Sequence, residues 1–83
     1  MPKLRTLSGH ELLKIFAKFG FEGVDQEGSH VKIRRQLLTG VRQSLPIPLH
    51  SEVDKGTLRA ILRQASRYIS DTDLHPHLYT ENR

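Results

Sequence analysis

His30 stands two residues ahead of Lys32 and four ahead of Arg34 in the run Glu27-Gly28-Ser29-His30-Val31-Lys32-Ile33-Arg34-Arg35. Strand side chains alternate between faces, so Val31 and Ile33 are predicted on one face and His30, Lys32 and Arg34 on the other. An imidazole can move a proton near neutral pH. Cations beside it can hold a phosphodiester and steady the charge that develops on it. The chemistry suggested by this row is binding of nucleic acid and its cleavage. Gly28 lacks a Cβ and lets the backbone come close to a bound strand. Ser29 can hydrogen-bond His30 or the substrate.

Charge distribution points the same way. The 83 residues hold 13 Lys and Arg against 9 Asp and Glu, a net charge of +4. No acid occurs between Glu27 and Glu52, where Lys32, Arg34, Arg35 and Arg42 fall. None occurs between Asp54 and Asp71, where Lys55, Arg59, Arg63 and Arg67 fall. Segregation of this kind makes a positive field that attracts polyanions. With no cysteine, disulfides and thiolate metal sites are excluded, and the cytoplasm is the expected compartment. No apolar run approaches the roughly 20 residues of a membrane span, and no h-region of a secretory signal is visible.

The elements that position the row follow from local pattern. Ser8 and Glu11 form a capping-box signature. Leu12, Ile15, Phe16 and Phe19 repeat at i, i+3, i+4 and i+7, which predicts a first helix that Gly20 stops. Residues 21–26 read as a first strand, Glu27-Gly28 as a turn, and 31–35 as a second strand. A loop at Thr39-Gly40 leads to a third strand over 42–47, with Leu45 and Ile47 inward. Pro46 and Pro48 confine that strand to an edge. Residues 51–54 can cap a second helix, in which Leu58, Ile61, Leu62 and Ala65 form the apolar stripe. Lys55, Arg59, Arg63 and Arg67, spaced by four, form a basic one. Ser70 can cap one more turn, which Pro76 ends, and 77–83 read as a loose tail. The whole is one α+β domain over 1–83, with its core at about 8–69. Two helices cover one face of a three-stranded antiparallel sheet, and His30 lies on the open face.

One histidine does not supply both an acid and a base. His50, after the third strand, is the candidate partner. His10 is expected in water on the first helical turn. His75 and His77 lack the further ligands that a metal site requires.

Gly28-Ser29-His30, Pro48-Leu49-His50 and Lys55-Gly56-Thr57-Leu58-Arg59-Ala60-Ile61-Leu62-Arg63-Gln64-Ala65, with the Gly20-Phe21 helix stop, closely resemble the HicA family of toxins from type II toxin–antitoxin systems. The resemblance covers 8–65. It implies a fold like the double-stranded RNA-binding domain, in α-β-β-β-α order. It also implies an mRNA interferase: an endoribonuclease that cleaves mRNA, blocks translation and is neutralised by a HicB antitoxin covering its active site. The free toxin is then expected as a monomer, joining a larger complex with the antitoxin. The histidine of Gly-Ser-His, here His30, is the implied catalytic residue. Gly28, Ser29, Lys32, Arg34, Arg35, Arg42, Lys55, Arg59 and Arg63 are the candidate RNA-binding residues. RNA brings its own nucleophile, so no metal or cofactor is expected. Ser66 stands where family members commonly place glycine, which leaves the end of the second helix open. The alternative reading is a non-catalytic RNA-binding module using the same basic face.

Overall fold

The first helix is built from its own local signals. In the computed structural model, which describes residues 3–80, Ser8 caps α1 (Gly9–Ala17). The Ser8 hydroxyl accepts from the Glu11 backbone N–H, and Glu11 Oε1 accepts from the Ser8 N–H at 2.8 Å. The exchange satisfies amide donors that a first helical turn leaves free. The Ser8 backbone N–H, and then its side chain, hold the Glu11 carboxyl below the ordinary carboxylate range. Leu12, Ile15 and Phe16 are buried. Gly20 then turns the chain at φ +91°, a left-handed value that costs glycine little.

Three antiparallel strands follow, β2 (Glu22–Glu27), β3 (His30–Gln36) and β4 (Arg42–Pro48), ordered β2-β3-β4. Gly28 and Ser29 form the tight turn between β2 and β3. Val31, Ile33, Leu45 and Ile47 are buried, while His30, Lys32 and Pro46 are exposed. The alternation places the core on one face and the histidine row on the other. β4 is an edge strand, which is why Pro46 and Pro48 do not break the sheet.

α2 (Lys55–Ala65) is capped by Asp54, whose carboxylate accepts from the Thr57 N–H at 3.0 Å and the Thr57 hydroxyl at 2.7 Å. The Thr57 hydroxyl, and then its backbone N–H, hold the Asp54 carboxyl below its ordinary range. Leu58, Ile61 and Ala65 are buried. Ser66 ends the helix without a glycine: it stays right-handed at φ −65°, and its hydroxyl donates to the Arg63 carbonyl at 2.7 Å. The domain is therefore α+β, with the helix–strand–strand–strand–helix succession of a double-stranded RNA-binding domain.

The chain beyond α2 departs from the sequence expectation. α3 (Asp71–Leu78) runs through Pro76 instead of ending before it. Leu74 and Leu78, one turn apart, are buried in the same core as Phe16, and that burial outweighs the local penalty of the proline. The next two residues form β5 (Tyr79–Thr80), antiparallel to β1 (Lys3–Leu4). Arg5 fastens the joint: its backbone N–H donates to the Leu78 carbonyl and its side chain to the His77 carbonyl, both at 2.8 Å. Residues 77–80 are thus folded. The remainder of the expected tail, 81–83, lies outside the described residues. Among the described residues, no helix is long and apolar enough to cross a membrane.

Arg35 ties these layers together. It shares the core-side face with Ile33 and is half-buried. Its Nε donates to Gln43 Oε1 at 2.8 Å, and its terminal nitrogens donate to the Phe19 carbonyl at 3.0 Å and the Tyr68 carbonyl at 2.7 Å. The guanidinium lies 5.0 Å from the Phe21 ring centre. It therefore joins the ends of α1 and α2 to the sheet. Replacing Arg35 with alanine is expected to lower the unfolding free energy by about 2–4 kcal/mol, since three carbonyl-type acceptors lose a charged donor. Urea unfolding measures this, and a change within about 0.5 kcal/mol would contradict the role.

Candidate active site

The site grows from two backbone junctions. The Leu49 N–H donates to the Ser29 carbonyl at 2.6 Å, joining the segment after β4 to the β2–β3 turn. The Gly9 N–H donates to the His50 carbonyl at 2.9 Å, joining that segment to the start of α1. Contact at Gly9 is closer than any side chain allows. A Cβ there would lie 2.1 Å from the Pro48 carbonyl oxygen and 2.7 Å from Leu49 Cα. Three distant stretches of chain thus meet at backbone contact, and His30 and His50 project from them. Their ring centres are 6.3 Å apart at an interplanar angle of 71°. Both residues are exposed.

Two clefts share His30 and Pro46. One, about 190 Å³, lies on the open sheet face between Asp25, Glu27, Lys32 and those two residues. The other, about 150 Å³, runs between β4 and α2 and is lined further by Pro48, Thr57, Ala60, Ile61 and Gln64. The four helical residues fall at i, i+3, i+4 and i+7, one face of α2. His30 therefore stands where an open surface meets a groove with apolar walls and polar ends.

The cationic row is not alone on its face. Register pairs Arg34 with Glu22, Lys32 with Asp25, and His30 with Glu27. The Gly28-Ser29 turn fixes the register, and alternation back from it puts Glu27 and Asp25 on the open face. A register shift between Gly23 and Asp25 leaves Val24 unpaired and reverses the order beyond it, so that Glu22 also comes to the open face, beside Arg34. The charge separation seen along the chain is thus undone in space on the β2 side. Toward β4 the row faces Ser44, Pro46 and Pro48, which carry no charge. A polyanion approaching His30 meets acids from one side and neutral groups from the other.

The candidate RNA-binding residues scatter accordingly. Gly28 and Ser29 form the turn beside His30, with Gly28 at φ +60°. Lys32 is exposed on the same face as His30. Arg34 is half-buried, and its Nε is enclosed with no hydrogen-bond partner among the described residues. Arg42 pairs with Gln36 at the far end of the hairpin, about 20 Å from His30 at a strand rise of about 3.3 Å per residue. Arg35 sits on the opposite, core-side face from His30, and its Nε and terminal nitrogens donate to Gln43, Phe19 and Tyr68. Lys55 is half-buried at the start of α2, where its Nζ donates to the Leu4 carbonyl at 3.0 Å and to Thr6 Oγ1 at 3.3 Å. Arg59 and Arg63 are exposed on α2 but do not line the groove that His30 lines.

The other histidines serve elsewhere. His10 is exposed on the first turn of α1. The His75 ring stacks on Tyr79 at 4.4 Å, and His77 meets Phe19 edge-on at 5.4 Å. Among the described residues, no group of three or more His, Cys, Asp or Glu side chains could hold a metal ion. Asp25 and Glu27 are the site residues that the sequence pattern did not suggest. Their signal is the turn at Gly28-Ser29, which sets Glu27 opposite His30 and Asp25 opposite Lys32.

A family model described as HicA toxin of bacterial toxin–antitoxin matches residues 9–66. The match runs from the first residue of α1 to the cap that ends α2, and spans both His30 and His50. No curated protein and no solved structure matches the chain.

Proposed function

The chain belongs to the HicA toxin family, the toxin half of a bacterial toxin–antitoxin pair with a cognate antitoxin as partner, and from that premise we propose that it is an endoribonuclease that cuts mRNA in the cytoplasm with His30 as a general acid or base. The observation that carries this reading is the exposure of His30 at the meeting of two clefts, beside Lys32. An exposed strand histidine has no packing role, and its neighbours are groups that can receive a phosphate and a base.

RNA supplies the attacking 2′-hydroxyl. The protein's part is to move protons and to hold the strand. Lys32 steadies the charge on phosphorus, and the Gly28-Ser29 turn lets the sugar–phosphate chain come close. The acids of β2 repel phosphates from that side, so the strand runs toward β4 and the groove along α2, where prolines and Ala60 offer apolar surface to a base.

A site of this kind must be covered to be harmless. The antitoxin, of HicB type, covers His30 and Lys32. The test is incubation of the purified chain with single-stranded RNA in EDTA, with and without the antitoxin. Fragments that disappear when the antitoxin is added are the expected result. A gel shift with intact RNA would favour a binding module that has no catalytic activity.

A further inference from the structure

We propose that His50 is the second proton-transfer group of the cleavage, acting with His30 across one scissile phosphate. This rests on the ribonuclease reading above. Attack by the 2′-hydroxyl requires two proton transfers, on opposite sides of phosphorus, and one imidazole cannot make both in the same step. His30 and His50 come from stretches 20 residues apart in the chain, yet their rings lie 6.3 Å apart. Rings this close can each reach a different oxygen of one phosphate group lying across their exposed edges, with a hydrogen bond of about 2.6–3.2 Å from each.

The backbone of each histidine is fixed by neighbours that would make little sense for a free loop. Ser29, next to His30, accepts from the amide of Leu49, next to His50. The His50 carbonyl is held by Gly9, at a contact where only a glycine fits. Positioning of this quality is what proton transfer demands of its groups. Neither ring is buried, so the core does not explain the pairing.

The reaction balances with this pair alone. One imidazole, neutral, takes the proton of the 2′-hydroxyl as the 2′-oxygen bonds to phosphorus. The other, as imidazolium, gives its proton to the 5′-oxygen as the bond from phosphorus to that oxygen breaks. The products are a 2′,3′-cyclic phosphate and a free 5′-hydroxyl.

The test is the pH dependence of single-stranded RNA cleavage by wild type, His30→Ala and His50→Gln. Glutamine keeps a polar side chain but cannot transfer a proton. Wild type is expected to give a bell-shaped profile. His50→Gln is expected to lose about 10²-fold or more in rate, together with one limb of the bell. It should still bind a 2′-O-methyl RNA, which cannot be cut, as tightly as wild type does, and this reports an intact fold. A His50→Gln protein that keeps both limbs, whatever its rate, overturns the proposal and leaves the ribonuclease reading standing. A wild type that does not cut, or a His30→Ala that cuts as fast as wild type, overturns that reading and this proposal with it.

Discussion

Replacing His30 with alanine is expected to reduce RNA cleavage by about 10²–10⁴-fold, the usual worth of one general acid or base. The loss should be chemical and not structural. His30 is the first residue of β3 and is exposed, so removing its ring opens no cavity in the core. The junction beside it is made by the Ser29 carbonyl and the Leu49 amide, which the substitution leaves untouched. Lys32, proposed to hold phosphate, is unchanged. Affinity for a 2′-O-methyl RNA, read by gel shift, should therefore stay near the wild-type value while the rate falls. If the variant cut RNA at the normal rate, the site would be misassigned.

The second large effect lies away from the chemistry. Gly9→Ala is expected to destabilise the domain by about 1–3 kcal/mol, the range for overpacking a tight contact. For a domain of this size each kcal/mol lowers the melting temperature by about 4–8 °C. The sign is diagnostic. Alanine in place of glycine inside a helix ordinarily stabilises by about 0.5–1 kcal/mol. Here the new methyl would meet the Pro48 carbonyl oxygen and Leu49 Cα, both backbone atoms without a rotamer to escape into. Relief requires moving the segment that bears His50, so cleavage should fall along with stability. Thermal unfolding of the variant measures the first effect; a rise in melting temperature would contradict the contact.

Much of this architecture is legible residue by residue. Ser8 and Glu11 announce α1 because a capping box acts within one turn of helix. Val31 and Ile33 declare the buried face of β3 because alternation depends only on the pleat. Both signals are local. The features that escaped depend on distant partners. Arg35 reads as one more cation of the basic run, and its bonds to the Phe19 and Tyr68 carbonyls are visible only in the fold. Pro76 reads as a helix stop until Leu78 is seen to be buried. The tail reads as loose until Thr80 finds Lys3.

The site divides along the same line. His30 was visible as an exposed strand residue from its neighbours alone. Its surroundings were not. The register of the β2–β3 hairpin turns an apparently cationic face into one flanked by Asp25 and Glu27, and the bulge at Val24 adds Glu22. His50 gains its meaning only from the junction of Leu49 with Ser29.

The most direct measurement is the chemistry of the ends that the chain leaves on single-stranded RNA in the presence of EDTA. Attack by the 2′-hydroxyl, with histidines moving the protons, predicts 2′,3′-cyclic phosphate and 5′-hydroxyl ends. Fragments bearing 5′-phosphate and 3′-hydroxyl ends, or RNA left whole, would contradict it.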